Sequence, residues 1–301
     1  MSLRANFAAT LAGNVAFAAS QWLILSLLAK LGDSVMLGQY ALALAVVTPI
    51  AMFSHLNLRS VLVGDVERRH PFGNYFAVRL ATTLLGLGAA AAAAVIFGYA
   101  RPVPAAIGLL SVALGADQIS DIYYGLMQRR ERMDQIARSM AARGVLSAAA
   151  LGATLWLTHS LVAALAALAA GRLIVLVLYD HPVSLARREP PGKDWDGEYR
   201  ILRQALPLGL VLMLSSLTVN LPRYAIEARF GAAQLGVFAA VASFLTVGST
   251  AANALGQSAM PRLARYYSAN EVRRFRRLAW QLMADGVATD GVGPADLLYY
   301  K

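Results

Sequence analysis

The chain has 301 residues, of which 58% are hydrophobic and only 15% charged, with a formal net charge of +10 and no cysteine. A soluble domain carries about 25% charged residues, so a water-soluble globule is excluded, and without cysteine so are disulfides and thiolate metal sites. The basic surplus sits at the ends of apolar stretches rather than on a polar face, which argues for topology signals and anionic-lipid contacts and against nucleic acid.

A helix needs about 20 mostly apolar residues to cross a bilayer, and about eight stretches qualify, near 6–29, 36–63, 74–99, 102–127, 140–158, 161–180, 201–226 and 234–260. Helices are expected because lipid offers no partner to exposed backbone groups. The first run is too long for a signal-peptide core and no clean cleavage site follows it, so it reads as span one. Span two carries Pro49 and, about one turn inside its end, Arg59. Span three opens with Arg79 and continues through Gly86, Gly88 and Ala89–Ala94, a small-residue surface suited to close helix contact. Arg59 and Arg79 can face each other across the loop Gly64–Gly73.

Span four places Asp117 and Asp121 four residues apart, on one helix face. Like charges there repel, so one is protonated or paired with a basic group such as Arg172, near the middle of span six. Between Pro182 and Gly197, the run Glu189-Pro190-Pro191-Gly192-Lys193-Asp194 is a helix-breaking linker. Span seven carries Pro207, Asn220, Pro222 and Arg223, with Glu227 one turn on as an alternative, purely structural partner. Beyond span eight a helix begins near Arg273 and gives way after Ala284 to a Gly- and Asp-rich tail that cannot span. That ending reads as a truncated or frame-shifted product, or a fragment.

The loops after spans two, four, six and eight hold the arginines: Arg68 and Arg69; Arg129, Arg130, Arg132 and Arg138; Arg187, Arg188, Lys193 and Arg200; then Arg262, Arg265 and those from Arg273 to Arg277. The alternate loops offer only Lys30, Arg101 and Arg229. By the positive-inside rule the N-terminus is cytoplasmic. Two segments match across six spans: Ala29-Lys30-Leu31-Gly32 with Leu37-Gly38-Gln39-Tyr40-Ala41, and Ala228-Arg229-Phe230-Gly231 with Leu235-Gly236-Val237-Phe238-Ala239. Six is even, so the repeats are parallel, an arrangement common in transporters. The expected fold is an all-α polytopic membrane bundle of about eight spans plus a partial ninth. Its expected organisation is a first six-helix bundle over 1–185, a linker over 186–200, an incomplete second bundle over 201–284 and a non-spanning tail over 285–301.

Three blocks carry a family likeness. They are Leu37–Ala45 with Pro49 and Leu56-Asn57-Leu58-Arg59; Leu206-Pro207-Leu208-Gly209 with Asn220-Leu221-Pro222-Arg223-Tyr224; and Leu255-Gly256-Gln257-Ser258 with Pro261-Arg262-Leu263-Ala264. Over about residues 5–284 the chain resembles the polysaccharide (O-antigen) flippases of the multidrug/oligosaccharidyl-lipid/polysaccharide exporter superfamily. The resemblance implies two six-helix bundles around a central cavity, and movement of undecaprenyl-pyrophosphate-linked glycans across the bacterial inner membrane for O-antigen or exopolysaccharide assembly. The implied partners are the lipid-linked oligosaccharide, membrane lipids and a polysaccharide polymerase.

Ionisable groups inside spans are costly and mark functional positions. Arginine offers a planar donor fork that suits a pyrophosphate, so Arg59, Arg79, Arg172 and Arg223 are the substrate-binding candidates. Asp117 and Asp121 are candidates for proton or cation coupling, with a structural ion pair as the alternative. A multidrug or cation antiporter of the same superfamily would favour an acidic cavity. A membrane enzyme of polysaccharide assembly would need a catalytic group on a long external loop, and these loops are short with no nucleophile–base pair. No catalytic residue or cofactor is expected, nor a metal site, since the four histidines are scattered.

Overall fold

The computed structural model describes residues 3–65, 67, 69–185, 195–268, 271 and 273, and the regular structure of these residues is helical. They belong to one unit over Met1–Val237 and another over Phe238–Lys301. The expected ninth span and tail lie beyond the described residues. Seven helices among the described residues are long and apolar enough to cross a bilayer, which makes this a multi-pass membrane protein.

The first is α1 (Leu3–Leu31). The second is α2 (Ser34–His55), continued by the short α3 (Leu58–Gly64). Then come α4 (Phe72–Ile96), α5 (Val103–Arg129) and α6 (Met133–Thr158). The helix α7 (Leu161–Val175) runs through a π-helical turn (Leu176–Asp180) into α8 (His181–Leu185). The last is α9 (Trp195–Ser268), so helix already begins inside the stretch expected as linker, whose residues 186–194 are not described. At Gly231 the backbone turns to φ 81°, ψ 178°, a conformation open to glycine, and this separates the two spans predicted at 201–226 and 234–260.

Helix α5 is the centre of the first unit. It packs against α2, α3, α4, α6, α7 and α8, while α1 lies along α6. Its neighbours are joined by neutral polar contacts of the kind that hold helices together in lipid. Gln118 Nε2 donates to the Ala51 carbonyl at 2.9 Å, and its Oε1 accepts from Ser54 and Thr83. That one side chain ties α5 to α2 and α4.

The sequence predicts span two as continuous over 36–63, but the helix breaks between His55 and Leu58. Leu56 and Asn57 both take left-handed angles, with φ 49° and 48°. Asparagine tolerates that region; for leucine it costs about 1–2 kcal/mol. Burying the Leu56 side chain is worth about 1.5–3 kcal/mol, and it is buried among Leu58, Leu62, Tyr75, Val78 and Ile122. Packing therefore offsets the backbone cost. Pro49, by contrast, sits inside an unbroken α2.

At the arginine-rich end, Asp65 closes the turn after α3. Its carboxylate accepts from the Arg69 and His70 amides and the Tyr75 hydroxyl, and Arg129 lies 3.6 Å away. Burial alone would raise its pKa, but these donors outweigh it and hold it below the usual value. At the opposite end, α2 and α9 touch backbone to backbone. A Cβ on Gly38 would overlap the Ala232 carbonyl, and one on Gly236 would overlap the Ser34 carbonyl. The same shift in sequence relates Ser34 to Ala232 and Gly38 to Gly236, so one contact is made twice, as two parallel repeats would make it.

Gly38→Val or Gly236→Val will lower stability by about 1–3 kcal/mol through overpacking, read as thermal unfolding in detergent, whereas Gly88→Ala, with nothing within 4 Å of its Cβ, will change little. Because the folded pKa of Asp65 is depressed, its contribution is present above the unfolded value of about 3.9 and lost as pH falls through the folded one. Asp65→Asn will accordingly be less stable than wild type at neutral pH, with the difference closing in acid; an equal difference at both pH values would show that titration of Asp65 is not involved.

Candidate functional site

A cavity of about 350 Å³ opens inside the first unit, lined by Tyr40 and His55 of α2, Arg59 of α3, Asp117 and Asp121 of α5, and Arg143 and Arg172 of α6 and α7, among others. It shares His55, Arg59 and Asp121 with a second space of about 610 Å³ along α3, lined also by Asn57, Ser60 and Gln128. The broken helix thus forms the wall between a vestibule and the cavity.

The charges fall into two clusters, one on each aspartate of α5. Asp117 holds two guanidinium groups: Arg143 Nη1 at 2.8 Å on Oδ1, and Arg172 Nη1 on Oδ2. Arg143 reaches further, donating to the Tyr124 hydroxyl and lying 3.4 Å from Asp180. Tyr124 and Ser139 join hydroxyl to hydroxyl at 2.6 Å, and Ser139 donates to Asp180. Asp180, fully buried at the end of the π-helical turn, is therefore wired to the cavity through Arg143. Single π turns recur at functional positions.

Asp121 gathers three partners from three elements. Arg59 Nη1 donates at 3.3 Å, His55 Nε2 lies at 3.1 Å, and Arg79 Nη2 lies at 3.6 Å. Arg59 also donates through Nε to Gln128 at 2.9 Å. Its guanidinium carbon stands 5.7 Å from the Tyr124 ring centre. Arg79 donates to the His55 carbonyl at 2.7 Å, filling an acceptor that the break in the helix leaves exposed.

The predicted residues are thus sorted by the fold. Arg59, Arg172, Asp117 and Asp121 meet at one cavity. Arg59 and Arg79 do meet across the α3–α4 turn, through Asp121, but Arg79 has no exposed surface and stands behind the cavity wall. Arg223, on α9, does not line this cavity and donates to Asn220 Oδ1 at 3.0 Å. Four contributors were not singled out from sequence: His55, Tyr124, Arg143 and Asp180. Arg143 had a legible signal, an ionisable group about one turn inside a predicted span, the same that marked Arg79. His55 had none, because its role depends on the break beside it.

Arg59, Arg79, Arg143 and Arg172 face Asp117, Asp121 and Asp180, a surplus of one positive charge before His55 is counted. Donors are in surplus as well: the buried Nε atoms of Arg79, Arg143 and Arg172 have no hydrogen-bond partner, against one such carboxylate oxygen, Oδ2 of Asp121. A buried donor left unpaired costs about 1–3 kcal/mol, so the site is built with capacity for additional acceptor oxygens.

A family model described as "Polysaccharide biosynthesis protein" matches residues 3–267. The chain belongs to the polysaccharide biosynthesis protein family. One relative is the capsular polysaccharide biosynthesis protein CapF of Staphylococcus aureus, 25% identical over 289 residues, covering 94% of this chain and 71% of that protein. Two solved structures share the fold. One is a MATE protein in complex with MaD3S (13% identity, TM-score 0.56, 92% of this chain and 68% of that one). The other is the MATE multidrug transporter DinF-BH, solved as a complex (16% identity, TM-score 0.55, 95% and 70%). The family likeness read from the three sequence blocks is thereby established, and so is the all-α membrane fold.

Arg143 is the residue that joins two carboxylates, Asp117 and Asp180. Arg143→Met strips the fully buried Asp180 of its arginine and leaves Asp117 with Arg172 alone, and breaking a buried pair in this way costs about 3–5 kcal/mol. Adding Asp180→Asn will recover part of that loss, giving a coupling of at least about 0.5 kcal/mol in a double-mutant cycle on unfolding in detergent. Additive losses would contradict the network.

Proposed function

We propose that the protein moves a lipid-linked oligosaccharide with a pyrophosphate headgroup across the bacterial inner membrane by alternating access, with its N-terminus in the cytoplasm. The carrying observation is the cationic, donor-rich cavity beside α5. A pyrophosphate diester brings negative charge and several acceptor oxygens, which match unpartnered guanidinium N–H groups. Membership of a polysaccharide biosynthesis family and the transporter-like fold support the same reading.

In this reading Arg59 and Arg172 contact the headgroup, because both line the cavity. Arg79 acts through the wall, holding the His55 carbonyl and Asp121 in place. Arg223, on the helix that meets α2 at its far end, would engage substrate only after the cavity changes its side of access. Asp117 and Asp121 are the groups at which a coupling proton or cation would act, since each controls arginines of the cavity. The vestibule along α3 leads from the arginine-rich end, which the positive-inside rule assigns to the cytoplasm. The glycine contact between α2 and α9 closes the opposite end. A polysaccharide polymerase would receive the product there.

A cationic drug is a poorer fit. Its natural partners would be Asp117 and Asp121, and both are already held by arginines.

Arg59→Ala combined with Arg172→Ala will cut translocation of a labelled lipid-linked glycan in proteoliposomes by about a hundredfold or more, as expected for losing two charge-assisted contacts of about 1.5–3 kcal/mol each. Translocation at the wild-type rate by the folded double variant would refute the arginine mechanism.

A further inference from the structure

We infer that the anionic headgroup and a proton bind together at the vestibule side of the cavity, with His55 and Arg59 changing partner from Asp121 to the headgroup and the proton taken up by Asp121. This rests on the reading of the cavity as a headgroup site and adds a direction of coupling to it.

The two aspartates of α5 are not equivalent. Asp117 is gripped by Arg143 and Arg172, side chains only 4% and 7% exposed. Their carboxylate contacts are close, and Arg143 is further fixed by Tyr124 and Asp180. Asp121 is held more loosely, with partners at 3.1, 3.3 and 3.6 Å. Two of them, His55 and Arg59, are 25% and 28% exposed and border both the cavity and the vestibule. The third, Arg79, is sealed in the protein and also fixed to the His55 carbonyl, so it cannot follow a ligand.

Asp121 therefore occupies the place an anion would take. Its carboxylate neutralises the two partly exposed donors until a doubly charged anion arrives. When a diphosphate takes Arg59 and His55, Asp121 keeps only Arg79, at the longest of its three distances. A carboxylate near the membrane interior that loses two cationic partners gains a proton more readily. The proton comes from vestibule water and the reaction is an association: headgroup plus one proton bound, nothing released.

Other groups also face Asp121. On α5 itself Asp117 lies one turn before it and Tyr124 just after; Gln128 holds Arg59 from the same helix. Across the cavity Arg143 of α6 and Arg172 of α7 are committed to Asp117. None of these replaces the partners that Asp121 would lose. Linkage then works both ways: the headgroup favours protonation, and lower pH favours the headgroup.

The test uses the purified full chain in nanodiscs and a synthetic farnesyl diphosphoryl monosaccharide, a diphosphate diester that does not itself titrate in the working range. Calorimetry in two buffers of different ionisation enthalpy is expected to show uptake of about half to one proton per ligand, and affinity falling by up to about tenfold per pH unit between about pH 5 and pH 8. Asp121→Asn is expected to abolish the uptake and flatten the pH profile, and His55→Gln to weaken binding several-fold. Asp117→Asn is expected to retain the uptake. Wild-type binding without proton uptake overturns this inference and leaves the headgroup site standing. No wild-type binding at any pH overturns both. Uptake that persists in folded Asp121→Asn, or vanishes in Asp117→Asn instead, overturns the assignment to Asp121. Equal uptake and affinity with the monophosphoryl analogue overturns the diphosphate as the matching ligand.

Discussion

Everything polar around this cavity is organised by two carboxylates on one face of α5. Charges at membrane depth persist only when paired, and Asp117 and Asp121 are the pairing points for arginines arriving from α3, α4, α6 and α7. The acids and the arginines are each costly alone. Together they fix which faces of five helices meet, a specificity that packing of Ala- and Leu-rich surfaces in lipid would not supply. The same arrangement leaves a net positive charge and unpartnered N–H groups at the cavity, so a structural requirement and a binding capacity come from one set of residues.

The break between α2 and α3 gives that cavity its entrance. An unbroken helix from Ser34 to Gly64 would carry His55 and Arg59 one turn apart, with the backbone carbonyl at His55 satisfied internally. The left-handed pair Leu56–Asn57 interrupts this. Leu56 is driven into an apolar cluster, and Arg79 supplies the donor that the His55 carbonyl then lacks. Discontinuous helices lining a wet space are a recurring device in transport proteins, because backbone freed from the helix is tolerated only where protein or water satisfies it.

Contrast between the two ends of α2 has a mechanical meaning under the proposed function. At one end is a break with an open vestibule. At the other, carbonyls sit directly on glycines of a helix from the next repeat-like segment, a contact with no side chain to adjust. Close backbone packing of this kind is either made or unmade, whereas the Asp121 cluster can exchange one partner at a time. A ligand that rearranges the adjustable end can bias the rigid one, provided it interacts differently with the two states.

The residues alone determined the membrane class, the positions of most spans, the basic side and the family, because the bilayer imposes a length of about 20 apolar residues and a charge asymmetry on any chain that crosses it. They also marked Arg59, Arg172, Asp117 and Asp121, since an ionisable group inside an apolar span stands out wherever it lies. Only the tertiary structure decided that these four share one cavity, that Arg79 stands behind it, and that His55, Arg143 and Asp180 belong with them. The physical reason is that depth in a span is readable from sequence while rotation about the helix axis is not. Which face of a uniformly apolar helix turns inward is settled by its neighbours, and a leucine in a left-handed turn is visible only once the pocket that buries it has formed.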